Sequence, residues 1–294
     1  MIIIENDCAG SLPGGFFSKF LIILDWIHNS IYNEENIYVD WTCKNTLDHN
    51  LWDLFFEQPN MGFVDNKDTK KLFHYRFYHN NYVYSDINTI MPYYKNYNGH
   101  FWSKPEIFKE EYFQNIRNEY NKAYQKIQIK QTINDNVSKY LSKFGKKNLG
   151  VTVRIPLHYT YNKPEGEPIS NRISPDEYYK IILNEIDDEF KRNNYDKIFV
   201  ACDVKYFIDL MVTKFGEEKV LFTDYKRVES LNSDWVDKKL TLKEEYFLIL
   251  TDSLLLSKCD YIMGGSSNIF IGTLFINNNV DFKVFDTLKT VYGC

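Results

Sequence analysis

The sequence has no excess of positive charge, no CxxC pair, and no long apolar run free of charges. The formal net charge of −5 leaves no basic field for a phosphate backbone, so nucleic acid is not an expected partner, although one nucleotide needs only a few local cations. Five scattered cysteines, Cys8, Cys43, Cys202, Cys259 and Cys294, are odd in number and do not pair as zinc ligands; reduced thiols in a cytoplasm fit them. Beyond Met1 to Ile4 the N-terminal apolar stretch is broken by Glu5, Asp7, Lys19 and Asp25, so neither a signal peptide nor a transmembrane segment is expected. There is no GxGxxG and no GKS or GKT spacing, which removes the dinucleotide fingerprint and the P-loop. Internal repeats and low-complexity segments are also absent.

What is present is material for a core. The chain has 294 residues, 44% hydrophobic and 17% aromatic, which excludes a disordered chain and suits two packed domains of roughly 150 residues each. Ile2 to Ile4 read as a strand, Gly10 to Gly15 as a break, and Phe16, Phe20, Ile23 and Ile27 as one face of a helix. Ile37 to Trp41 reads as the next strand and Trp52 to Phe56 as an aromatic helical piece. From Phe63 to Trp102 the sequence is dense in Tyr, His and Asn without clean period, as irregular surface and short strands are. Pro105 to Tyr140 carries long helical periodicity, and the turn-like Phe144 to Asn148 marks a boundary between residues 1–146 and 147–294.

Beyond that boundary strands and helices alternate: strand 149–155, helix 175–191, strand 197–201, helix 204–215, strand 219–223, a helix 241–257 opened by the capping box Thr241-x-x-Glu244, strand 261–263, a helix after Gly264-Gly265-Ser266-Ser267, and strand 282–285. Alternating βαβ units imply a parallel sheet and an α/β fold.

Ligands of open parallel sheets sit beyond the carboxyl ends of the strands. Arg154 ends a strongly apolar strand, where packing gives little reason for a cation. Asp203 follows strand 197–201, and Asp252 lies in an apolar helix, on either its solvent or its interior face. Ser266 and Ser267 open a helix, whose free N–H groups favour an anion; the plainer reading is that the glycines permit a tight turn and Ser267 caps. Gly14 and Gly15, in the loop before the first helix, carry the same two readings. Trp52, Tyr93, Tyr94 and Trp102 either stack on sugars or pack.

LTDSLLLSKCDYIMGGSSN (250–268) resembles the motif of fucosyltransferases of the α1,6 and protein O-fucosyl type, in which an aspartate, a leucine-serine pair, a further acidic residue and a serine pair recur in this order. GVTVRIP (150–156) looks like their strand ending in a diphosphate-binding arginine, FVACD (199–203) like their strand ending in an essential aspartate, and GSLPGGFF (10–17) like their glycine loop. The resemblance implies a GT-B architecture, with two Rossmann-like domains whose parallel sheets face across a cleft, the C-terminal one holding the nucleotide sugar. It implies inverting transfer of fucose from GDP-fucose to a glycan hydroxyl without a metal or other cofactor. Carried over by position, Arg154 pairs with the β-phosphate, Gly14, Gly15, Ser266 and Ser267 face the diphosphate, Asp252 holds the base or ribose, and Asp203 orders the site.

Two positions depart from that pattern. Thr152 stands where a histidine is usual, and Ile-Pro-Leu-His follows Arg154 in place of a polar run ending in aspartate. Candidates for the base that takes the acceptor proton are Glu167, preferred because relatives carry an acid in the corresponding loop, then His158, Glu165 and Asp7. Asp187-Asp188 reads as a helical surface pair. The rival readings are a transferase of the same fold for another nucleotide sugar, and a sugar-nucleotide or glycan-binding module without turnover. The absence of a glycine-rich motif after the first strand of the C-terminal half disfavours a methyltransferase.

Overall fold

The computed structural model describes residues 2–6, 16–41, 50–63, 70–74, 108, 111–153, 175–228, 241–265 and 267–285. These belong to two compact units: Met1–Phe101 with Glu110–Asn136 and Leu274–Asn278, and Trp102–Lys109 with Val137–Thr273 and Asn279–Cys294.

The first unit begins with β1 (Ile2–Asn6), α1 (Phe16–Asn33) and β2 (Ile37–Asp40). A short helix α2 (Trp52–Phe55), a strand β3 (Lys70–His74) and a helix α3 (Glu111–Tyr124) follow. Its three-stranded sheet is parallel in the order β2-β1-β3, so the chain leaves the central strand directly into the segment that holds Gly14 and Gly15. The core is aromatic. Phe16, Phe20, Trp41, Trp52, Phe55 and Phe56 are fully buried, with Phe16 stacked on Trp41 at 5.4 Å and Trp52 against Phe56 at 4.4 Å. Trp52 therefore packs, and its indole N–H donates to Glu57 O at 3.0 Å.

The helical stretch expected over 105–140 is two helices, α3 and α4 (Gln131–Leu141). The chain between them is drawn off by a different partner: Ile129 forms an antiparallel bridge with Phe56, Glu57 N–H donates to Gln128 O, and Lys130 N–H to Phe55 O, both at 2.9 Å. Backbone groups engaged in that bridge are lost to a continuous helix.

The second unit is a five-stranded parallel sheet in the order β6-β5-β4-β7-β8. Its elements in chain order are β4 (Asn148–Val153), α5 (Pro175–Asn193), β5 (Lys197–Cys202), α6 (Lys205–Phe215), β6 (Val220–Leu221), α7 (Leu242–Leu256), β7 (Tyr261–Gly264), α8 (Asn268–Ile276) and β8 (Asp281–Val284). Every residue of the central strand β4 is buried, as a strand covered on both faces must be. Leu149, Val151, Ile198 and Val200 meet Tyr179, Ile182, Phe207 and Met211 in one core. Helix α7 opens with the expected capping box: Thr241 Oγ1 accepts from Glu244 N–H, and the Glu244 carboxylate accepts from Thr241 N–H at 2.8 Å. Asp187 and Asp188 lie on α5, where Asp187 pairs with Lys191 at 2.8 Å and Asp188 is exposed.

Candidate functional site

Strand order locates the site before any side chain is considered. From β4 the chain builds outward through β5 and β6, then returns to lay β7 and β8 on the other side of β4. The direction of winding reverses between β4 and β7, and a ligand crevice opens beyond the carboxyl ends of the strands at such a reversal. The last register pair across it is Thr152 with Gly264.

That pair is tight. A β-carbon on Gly264 would sit 2.5 Å from Thr152 Cγ2 and 2.6 Å from the Phe270 ring, so Gly264 is required by close packing. Gly265, by contrast, faces open space. Ser267 then opens α8: its carbonyl accepts from Ile271 N–H at 3.0 Å and its hydroxyl accepts from Phe270 N–H at 3.4 Å. It occupies the capping position, half-buried. Thr152 is itself buried, and its methyl group fills the space over Gly264.

Asp252 is interior. It is 1% exposed, and its two carboxylate oxygens accept from the hydroxyls of Thr223 at 2.7 Å and Tyr225 at 2.6 Å. Burial pushes its pKa up to about 6, against the opposing pull of the two hydroxyls and of Arg227; Asp203 adds to the rise by its charge. The polar neighbours on α7 are interior too. Thr251 and Ser253 turn their hydroxyls back to Phe247 O and Ile249 O, both at 2.8 Å, so the helix buries these two hydroxyls without orphaning them.

Arg227, 8% exposed, completes the cluster. Its Nε–H donates to Cys202 O at 3.0 Å, and Nη1 donates to Thr223 O at 2.8 Å and Tyr225 O at 3.2 Å. The guanidinium lies over the Tyr225 ring, 4.2 Å from its centroid, and among the described residues Nη2 has no hydrogen-bond partner. Asp203 is half-buried just past β5, its carbonyl accepting from Val228 N–H at 2.9 Å. Thus Asp203, Thr223, Tyr225, Arg227 and Asp252 gather beyond the carboxyl end of β5.

Of the residues expected from sequence, Asp203 and Asp252 fall in this cluster and Ser267 lies beyond β7. Arg154, Glu167, Gly14, Gly15 and Ser266, with His158, Glu165 and Asp7, lie outside the described residues. Sequence reasoning missed Thr223, Tyr225 and Arg227. The signal available was the alternation Thr-x-Tyr-x-Arg immediately after an apolar strand, which sends three polar side chains to one face. Among the described residues no group of three or more His, Cys, Asp or Glu is arranged to hold a metal ion, and no helix is long and apolar enough to cross a membrane.

No protein-family profile matches the chain, and comparison with curated protein sequences gives no match. Solved structures do match. The crystal structure of fucosyltransferase NodZ from Bradyrhizobium superposes with a TM-score of 0.52 at 13% identity, over 97% of this chain and 96% of that one. This chain has a NodZ-like fold. NodZ α-1,6-fucosyltransferase soaked with GDP-fucose matches with a TM-score of 0.50 at 13% identity, over 97% of this chain and 94% of that chain. At this identity the likeness to NodZ speaks for the fold, and the chemistry must be argued from this chain's own residues.

Proposed function

We propose that the chain is a glycosyltransferase of GT-B architecture that binds a nucleotide sugar at the β4/β7 reversal and transfers fucose from GDP-fucose to a glycan hydroxyl, inverting the anomeric carbon without a metal. The observation that carries this reading is the reversal itself: it pairs Gly150–Thr152 of one fucosyltransferase-like segment with Ile262–Gly264 of the other on adjacent strands of one sheet. Residues 1–146 take the acceptor side, and 147–294 the donor.

In this reading the leaving group is a nucleoside diphosphate, and its β-phosphate gains charge as the glycosidic bond breaks. Arg154, next in sequence after β4, supplies a bidentate cation to that phosphate. Ser266, Ser267 and the N–H groups that open α8 donate to the phosphate oxygens, with Gly14 and Gly15 facing them. Glu167 takes the proton from the acceptor hydroxyl. Asp252 and Asp203 shape the nucleoside end, Asp252 through Thr223 and Tyr225.

A nucleotide-release assay over GDP-sugars and glycan acceptors tests the reading. GDP-fucose turnover that falls by a factor of about 100 or more in Arg154→Ala supports it. Turnover unchanged by that substitution, or confined to a UDP-sugar, overturns it.

A further inference from the structure

Tyr225 is an aromatic residue fixed at both ends of its ring system. Its hydroxyl donates to Asp252 at 2.6 Å, its backbone N–H donates to Thr223 O at 3.0 Å, and its carbonyl accepts from Arg227. One ring face carries the Arg227 guanidinium at 4.2 Å. Arg227 is held in turn by Cys202 O at the end of β5, so the ring is referenced to the sheet and not to a loose loop. The residue is half-buried.

A side chain meant only to fill space needs neither a cation behind it nor a buried carboxylate at its tip. A gate would need freedom to swing, which these contacts remove. A flat ring held rigid beyond the carboxyl end of a parallel sheet, and only half-buried, suits a planar ligand. It binds such a ligand without first losing side-chain entropy.

We propose that the ring face of Tyr225 opposite Arg227 is the stacking platform for the purine base of the nucleotide, with Arg227 and Asp252 as positioning residues that hold the ring. The inference rests on the nucleotide-sugar reading of the same site and adds the residue that meets the base. Asp252 then serves the base through Tyr225, in keeping with a carboxylate whose oxygens are both engaged and which is 1% exposed. The groups facing that carboxylate are Thr223, Tyr225, Arg227 and Asp203.

The test is calorimetric titration of the full chain with GDP and, separately, with inorganic pyrophosphate, in wild type, Tyr225→Phe and Tyr225→Leu. Both variants lose the hydroxyl, so their difference reports the ring. Stacking on an aromatic side chain implies GDP binding about 10- to 100-fold weaker in Tyr225→Leu than in Tyr225→Phe, with pyrophosphate binding the same in both. Equal losses for GDP and pyrophosphate, or equal GDP affinity in the two variants, overturn the platform. A wild-type chain that binds pyrophosphate but not GDP also overturns it, while a chain that binds neither sinks the nucleotide-sugar reading as well. Tyr225→Trp covers the case in which Tyr225→Leu does not fold. Its added emission should be quenched by GDP and not by pyrophosphate, and equal response to both overturns the proposal.

Discussion

Thr152 and Gly264 face each other across β4 and β7, and the Thr152 methyl group occupies the space a side chain at position 264 would need. The contact closes the floor of the proposed donor site. Gly264→Ala should therefore cost about 1–3 kcal/mol of stability, as overpacking a tight core does. The coupling to Thr152 is the sharper expectation. Thr152→Ser removes the methyl group at 2.5 Å, so in chemical denaturation the double variant should recover part of the loss, and strict additivity would contradict the packing described.

Asp252 gives a pH dependence with a definite sign. Its folded-state pKa is raised from 3.8 to about 6 by burial, so the favourable contribution of its neutral form is fully present below about pH 4 and is lost as pH rises through 6. Asp252→Asn keeps the side chain neutral at every pH. Its stability relative to wild type should rise between pH 4 and 7 by on the order of 3 kcal/mol, on top of a constant penalty for altered hydrogen bonding. Thermal unfolding of both proteins across that range checks it, and a flat difference would refute the burial of an ionised carboxylate.

Arg117 on α3 clasps Leu274–Asn278, the stretch at the carboxyl end of α8 that belongs to the first unit. It is 4% exposed and donates to Asn277 O at 3.1 Å and to Leu274 O at 3.4 Å, while Asn121 donates to Phe275 O and Ile276 O at 3.0 and 2.9 Å. Replacing it leaves buried carbonyls without donors. Arg117→Met should cost about 2–4 kcal/mol in urea denaturation, and Arg117→Lys should restore little, because one ammonium cannot span the same carbonyls.

The capping box of α7 is a small, clean case. Thr241→Ala removes the side-chain acceptor of Glu244 N–H and should cost about 1 kcal/mol, with the same far-ultraviolet circular dichroism before melting. A loss of several kcal/mol would mean that Thr241 does more than cap.

Much of the fold was legible because its signals are local. Apolar β-branched runs marked β1, β2, β4 and β5, and the Thr241-x-x-Glu244 spacing marked the start of α7 to within a residue. Lys70–His74 was not individually readable: KKLFH has no alternation, and it is a strand because β1 offers it a parallel partner. The interior position of Asp252 was likewise undecidable from its own helix. What decides it are Thr223 and Tyr225, 29 and 27 residues away, whose hydroxyls make a buried carboxylate tolerable. Gly264 was read as a turn residue or an anion-loop residue; its tight fit against Thr152 and Phe270 is a long-range fact that no short motif carries.

A guanine nucleotide diphosphate is expected to bind beyond β4 and β7 with Arg154 on its phosphates. Isothermal titration of GDP into wild type and Arg154→Ala tests it most directly. GDP binding that weakens about tenfold or more in the variant, with an unchanged melting temperature, is the expected result, since a charge-assisted bidentate pair is lost. Equal GDP affinity in the two proteins, or binding of UDP and not GDP by wild type, would contradict it.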